Sequence, residues 1–150
     1  MHIVRAKPAD AAALTEIAFA AKRHWGYPEK WMKSWRDALT IRPEFIASHA
    51  TQAAHLEDRI IGFYALGPPT HRVQLLHLWV LPVAMGQGVG RALFTHAYTL
   101  AKELGGQELE IESDPNAEGF YRHMGAERVG TNRLILDGQN RELPVLIYKL

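Results

Sequence analysis

A chain of 150 residues with 47% hydrophobic and 22% charged side chains is one domain's worth of sequence, too apolar for intrinsic disorder. Lys plus Arg is 17 and Asp plus Glu is 16, so the net charge is +1 and no global field draws the chain to nucleic acid or an anionic membrane. Cysteine is absent, which excludes disulfides, thiolate metal sites and a cysteine nucleophile and fits a reducing, cytoplasmic setting. No apolar run reaches the roughly 18 residues of a membrane span. Met1 to Lys7 lacks the basic-then-apolar order of a signal peptide.

In chain order, His2 to Ala6 reads as a short strand. Pro8 and Asp10 open a helix whose apolar face is Leu14, Ile17, Ala18 and Ala21, ended by Gly26. Pro28 starts a second helix that carries Trp31 and Trp35 on one face, and Pro43 stops it. Phe45 to Thr51 and Arg59 to Leu66 read as strands joined by a turn at Glu57-Asp58-Arg59. Val73 to Leu81 is a long apolar run suited to a central strand. A glycine-rich turn leads into a helix to Leu104, with Leu93, Ala97, Leu100 and Leu104 on its buried face. Leu109 and Ile111 alternate with Glu108, Glu110 and Glu112 in a strand. A short helix follows Asp114-Pro115 and stops at Gly125. Arg128 to Leu136 and Leu143 to Lys149 close the chain as a strand pair around Asp137-Gly138. This order predicts an α/β (α+β) domain over residues 1–150, a mixed sheet with helices on both faces.

Two motifs carry chemistry. Met85-Gly86-Gln87-Gly88-Val89-Gly90-Arg91 lies between a strand and a helix, where inward amides and the positive end of the helix suit a phosphate or pyrophosphate. No Lys-Ser/Thr follows as in a Walker loop, and the third glycine comes one residue too soon for a dinucleotide fingerprint. Taken alone, the glycines also suit a plain tight turn. The second motif runs from Asp114-Pro115-Asn116 through Phe120-Tyr121 to Gly125-Ala126. A phenol there can donate a proton to a leaving group and a side-chain amide can hold a chain of amides; core aromatics are the plainer reading of the same residues.

Together, Val80-Leu81-Pro82, the Gly86 to Arg91 turn and Asn116 through Tyr121 to Gly125 resemble the GNAT superfamily of acyl-CoA-dependent N-acetyltransferases. The resemblance is strong over residues 73–126 and looser across the rest. It implies a mostly antiparallel sheet of six to seven strands and acetyl-CoA as acyl donor. It implies that amides of Gly86, Gln87, Gly88, Val89, Gly90 and Arg91 hold the pyrophosphate. Val80 would pair its backbone with the pantetheine arm, as in strand addition. Asn116 matches the family's pantetheine-contacting asparagine, and Tyr121 the tyrosine that protonates the departing thiolate. Two departures stand out. Met85 replaces the usual Gln or Arg, and no carboxylate lies between Val73 and Pro82 where many members carry a glutamate base.

An amine acceptor must lose a proton, so a base is needed. His77 on the central strand is the first candidate and Glu112 the second; a packed strand histidine and an exposed strand carboxylate are the plainer readings. His71, six residues before His77, would face the same side in an unbroken strand, and a place at the entrance or on the surface is the expectation for it. The 8 histidines show no metal-ligand spacing, so no metal is expected. His24, Trp25, Tyr27 and Trp31 are the candidates for an acceptor pocket, against the plainer reading that the tryptophans bury a helix face. The function expected is acetyl transfer to a small-molecule or peptide amine by direct attack in a ternary complex. Its alternative is a non-catalytic acyl-CoA sensor of the same fold. A homodimer through the last strands is compatible with either.

Overall fold

The computed structural model describes residues 1–150. Its strands are β1 (His2–Arg5), β2 (Ala50–Leu56), β3 (Arg59–Leu66), β4 (Arg72–Val80), β5 (Glu108–Glu112), β6 (Glu127–Leu136) and β7 (Gln139–Lys149). The helices are α1 (Ala11–Arg23), α2 (Glu29–Ser34), α3 (Arg36–Leu39), α4 (Pro43–Ser48), α5 (Val89–Glu103) and α6 (Glu118–His123). All seven strands lie in one sheet, in the order β1-β2-β3-β4-β5-β7-β6. Every neighbouring pair is antiparallel except β4 and β5. No helix is long and apolar enough to cross a membrane.

The alternation of β3 separates the two faces. Tyr64 reaches α5, where its hydroxyl bonds His96 Nδ1 at 2.6 Å, whereas Phe63 packs toward His77 and, beyond it, Phe45 of α4. Apolar residues of α1 (Leu14, Ile17, Ala18) and α5 (Leu93, Phe94, Ala97, Ala101) join a contiguous core of 30 buried residues.

Several sequence expectations need correction. Residues 43–48, expected as the end of a helix and the start of a strand, form α4, and β2 begins only at Ala50. Pro43 both stops one helix and occupies the first turn of the next, where its missing N–H costs nothing. The short run Phe45-Ile46-Ala47 has too few residues to separate helical from alternating periodicity. The second helix also breaks: Trp35 sits between α2 and α3 at φ −91 and ψ 4, and the buried residues of this region are Met32 and Leu39, not the tryptophans.

Two features aim the chain at the cleft. In β4, Ala65 pairs with His77 but Leu66 pairs with Leu75, leaving Leu76 as an extra, bulged residue. The bulge reverses which residues face α5: Val73 and Leu75 do so before it, Leu78 and Val80 after it. His71 therefore shares no face with His77; it lies exposed beside Glu108 at 3.5 Å. Second, α5 approaches the sheet closely at Gly62, where a Cβ would meet Leu93 Cδ1 and the Trp79 carbonyl oxygen, each at 2.9 Å. Gly62→Ala is expected to destabilise by about 1–3 kcal/mol, the usual cost of overpacking, read as a lower urea midpoint at unchanged slope. An unchanged midpoint would mean that α5 does not rest on this glycine.

Candidate active site

β4 and β5 pair in parallel over only three residue pairs, Arg72 to Gln74 against Glu108 to Glu110. Beyond them the strands part. β4 stays with β3, while the chain after β5 turns away at Ser113, whose amide bonds the Pro144 carbonyl. The Leu81 amide bonds Ile61 on β3 at 2.9 Å, so by antiparallel alternation the amide groups of Leu78 and Val80 face the gap. A cavity of about 520 Å³ fills this opening. Leu75 to Val80 form one wall, Ile111 to Asp114 the other, and Phe120 and Tyr121 close the wide end.

At that end the chain turns into α5. Gly88 caps the helix at φ +83, a left-handed backbone that a side chain would strain. The Ala92 amide bonds the Gly88 carbonyl, which leaves the amides of Val89, Gly90 and Arg91 free at the positive end of a 15-residue helix. Gly86, Gly88, Gly90 and Arg91 line the cavity; Arg91 is the exposed cation there. Gln87 instead folds back, its Nε2 donating to the Val83 carbonyl at 3.1 Å, and the Val89 side chain is buried, so only its amide is on offer. Met85 lines the same wall, half-buried.

Tyr121 is a buried residue of the cavity wall whose polar atom has no partner in the protein. Only 7% of it is exposed, yet no buried polar side-chain atom lacks a partner. Its hydroxyl makes no hydrogen bond within the protein and so opens on the cavity. Burial, and then the nearby Asp114 charge, push its pKa upward, so the phenol keeps its proton.

Beside it lies a network that the sequence does not announce. Asp114 accepts Lys22 Nζ at 2.7 Å, the Tyr27 hydroxyl at 2.8 Å and the Asn116 amide at 2.8 Å. Burial alone would raise this carboxyl, but the Lys22 cation and these bonds outweigh it and hold it below the usual range. Lys22 is lowered, because burial and the same-sign Arg141 nearby outweigh its single carboxylate. Burial and the bond to Asp114 push Tyr27 up to about 12. Arg141 of β7 stacks over Tyr27, Trp31 and Trp35 at 5.0–5.4 Å, and Lys22 lies 4.3 Å over Trp35. Lys30 and Asp137, 2.7 Å apart, tie α2 to the tip of the β6–β7 hairpin.

These positions revise the expectations. Trp25 lines the cavity, but His24 is exposed away from it, and the Tyr27–Trp31–Trp35 cluster is capped by the chain's own cations rather than open to an amine. His77 lines the cavity on the β4 wall. Its Nδ1 accepts the Trp79 indole N–H at 3.0 Å, and an indole can only donate, so the neutral ring carries its proton on Nε2 and has no free lone pair. Burial, then His49, push its pKa down to about 4. Glu112 lines the cavity, exposed, held on Oε2 by Asn132 Nδ2 and paired with no cation. Asp114 was legible only as a helix cap and Lys22 only as part of a basic stretch. Arg141 carries no local signal, since it enters by strand register.

The fold that carries this site is similar to those of solved N-acetyltransferase structures. A GCN5-related N-acetyltransferase from Rhodopseudomonas palustris matches with TM-score 0.82 at 23% identity, over 99% of this chain and 95% of that one. The PaiA N-acetyltransferase from Thermoplasma acidophilum, solved in complex with coenzyme A, matches at 0.81 and 20%, over 99% and 98%. yncA from Salmonella typhimurium, solved with its cofactor acetyl-CoA, matches at 0.73 and 18%, over 99% and 93%. Comparison with curated protein sequences gives no match. The model of the acetyltransferase (GNAT) family matches residues 11–126, and the chain belongs to that family.

His77 gives a pH prediction with a definite sign. An unfolded histidine titrates near 6.5, and the folded one near 4. Between those values the unfolded chain binds the extra proton, so stability falls as pH falls. The expected loss is on the order of 3 kcal/mol, measured by urea unfolding at pH 7 and pH 4. His77→Gln, whose amide oxygen can still accept from Trp79, should reduce the loss by that amount; an undiminished loss would place the titration elsewhere.

Proposed function

We propose that the protein moves an acetyl group from acetyl-coenzyme A to a primary amine by direct attack within a ternary complex. One observation carries the reading: a single cavity takes in the free amides at the start of α5, the unpaired edge of β4 and the Tyr121 hydroxyl. The donor set fits the cofactor along its length. The amides of Val89 to Arg91 and the Arg91 side chain suit a pyrophosphate, and the Leu78 and Val80 backbone groups suit the amides of the pantetheine arm. Gly86 and Gly88 let the turn approach closely, and Asn116 faces the arm from across the gap.

Acetyl-coenzyme A supplies a carbonyl carbon activated as a thioester. A β4 amide facing the gap can donate to the carbonyl oxygen where negative charge develops. Tyr121 holds its proton at Oη for the sulfur that leaves. Glu112 is the better base, because it is the carboxylate on the cavity wall without a cation and His77 has no lone pair to offer. An alkylamine is mostly protonated at neutral pH, so Glu112 takes that proton directly or through one water. In an extension of the β4–β5 register Glu112 lies across from Leu76, near the narrow end of the gap. This end suits the acceptor.

Met85 favours a second reading, a non-catalytic acyl-CoA sensor, because it removes a side-chain donor from the phosphate turn. The two readings part on turnover. Thiol release from acetyl-coenzyme A is followed across a panel of alkylamines, arylalkylamines and peptide N-termini. Transfer is expected with wild type, and Tyr121→Phe is expected to lower turnover by about 10²–10⁴-fold, with Glu112→Gln lowering it by about 10²-fold. Unchanged turnover in the Phe variant would remove Tyr121 from its role. Binding without turnover on every amine would support the sensor.

A further inference from the structure

The Tyr27 hydroxyl has every valence engaged. It donates to Asp114 Oδ2 at 2.8 Å and accepts from Asn116 Nδ2 and from an Arg141 guanidinium nitrogen, each at 3.0 Å. The ring that carries it is fixed from several sides. Trp31 stacks on it at 5.7 Å and Trp35 meets it edge-on at 5.0 Å, with Lys22 and Arg141 each about 5 Å from its centroid. Residues of α1, the α1–α2 loop, the β5–α6 loop and β7 thus meet at one oxygen and one carboxylate.

The consequence falls on Asn116. A carboxylate can only accept, so the edge of the Asn116 amide facing Asp114 must be its NH2 group. That nitrogen donates one N–H to Asp114 Oδ1 at 3.0 Å and the other to Tyr27 Oη at 3.0 Å. Both donors are spent inside the protein. The carbonyl oxygen has no protein partner, and Asn116 lines the cavity.

We infer that Tyr27 is a positioning residue whose hydroxyl, with Asp114, locks the Asn116 side chain as a hydrogen-bond acceptor facing the cofactor arm. The inference rests on the cofactor reading above. An acceptor at this place selects an amide N–H of the pantetheine arm and rejects a carbonyl. Without the Tyr27 oxygen one Asn116 N–H is unpaired, and the side chain, held by Asp114 alone, can swing about that single hydrogen bond and carry its carbonyl oxygen away from the arm.

Tyr27→Phe keeps the ring, its stacks and both cation contacts and deletes only the oxygen. Calorimetric titration with acetyl-coenzyme A is made on wild type, Tyr27→Phe, Asn116→Ala and the double variant, each first shown to melt cooperatively. Each single variant is expected to bind roughly 3- to 10-fold more weakly, the loss of about one hydrogen bond, and the double variant no more weakly than Asn116→Ala alone. Adenosine 3′,5′-bisphosphate, which lacks the pantetheine arm, is expected to bind wild type and Tyr27→Phe equally in competition. An unchanged acetyl-coenzyme A affinity in Tyr27→Phe, losses that multiply in the double variant, or an equal loss for the bisphosphate would each overturn the inference. Wild type that binds no acetyl-coenzyme A would instead overturn the cofactor reading on which it rests.

Discussion

The parting of β4 from β5 is the constraint on which the rest of the molecule depends. Strands joined by one three-pair parallel ladder should keep pairing, because unpaired backbone groups away from water are costly. Two local features mark the parting. The extra residue at Leu76 turns β4 on its axis, and the chain after β5 gives the Ser113 amide to Pro144 and the Ser113 hydroxyl to the Asp114 carbonyl. The wide end is then propped by an aromatic cluster in which Phe94 meets Phe120 and Tyr121 at centroid distances of 6.2 and 5.5 Å. An open strand edge inside a domain invites an extended chain of amides to complete it. The cofactor reading follows from this defect in the sheet more than from any single side chain.

The second constraint is charge placement. The wide end gathers the free amides of α5 and Arg91, while Glu112 stands at the narrow end without a cation. Between them Asp114 is neutralised by Lys22, so its charge is spent on holding elements together. The aromatic residues near it do the same work. Tyr27, Trp31 and Trp35 form a box that the chain's own Lys22 and Arg141 close, and the hairpin tip is pinned to α2 through Lys30 and Asp137. This wall of the cavity is therefore built from four separate segments joined by one carboxylate and one hydroxyl.

That division explains what could be read from the chain alone. The glycine turn and the Asn116 to Gly125 stretch are local, so they can be seen in the sequence, and their joint resemblance to the GNAT superfamily implied the fold. The strand run Val73 to Leu81 was legible because it is long and apolar. The bulge at Leu76 was not, since a register shift belongs to two strands; with it went the expectation that His71 and His77 share a face. Residues 43–48 were misread because proline both ends and begins helices. His77 was found in the right strand, but only its contact with Trp79 shows that its lone pair is taken. Lys22 and Arg141 lie 92 and 114 positions from the partners they meet, Asp114 and Tyr27, and no local pattern could join them.

The central claim is that the opening between β4 and β5 is a coenzyme A site. The direct test is calorimetric titration of the wild-type protein with acetyl-coenzyme A, free coenzyme A and ATP. Saturable binding of both coenzyme forms, with ATP much weaker or absent, is the predicted result, because ATP offers phosphates but no amide arm for the free edge of β4. Equal binding of ATP would reduce the site to a phosphate turn, and no binding of either coenzyme form would contradict the account.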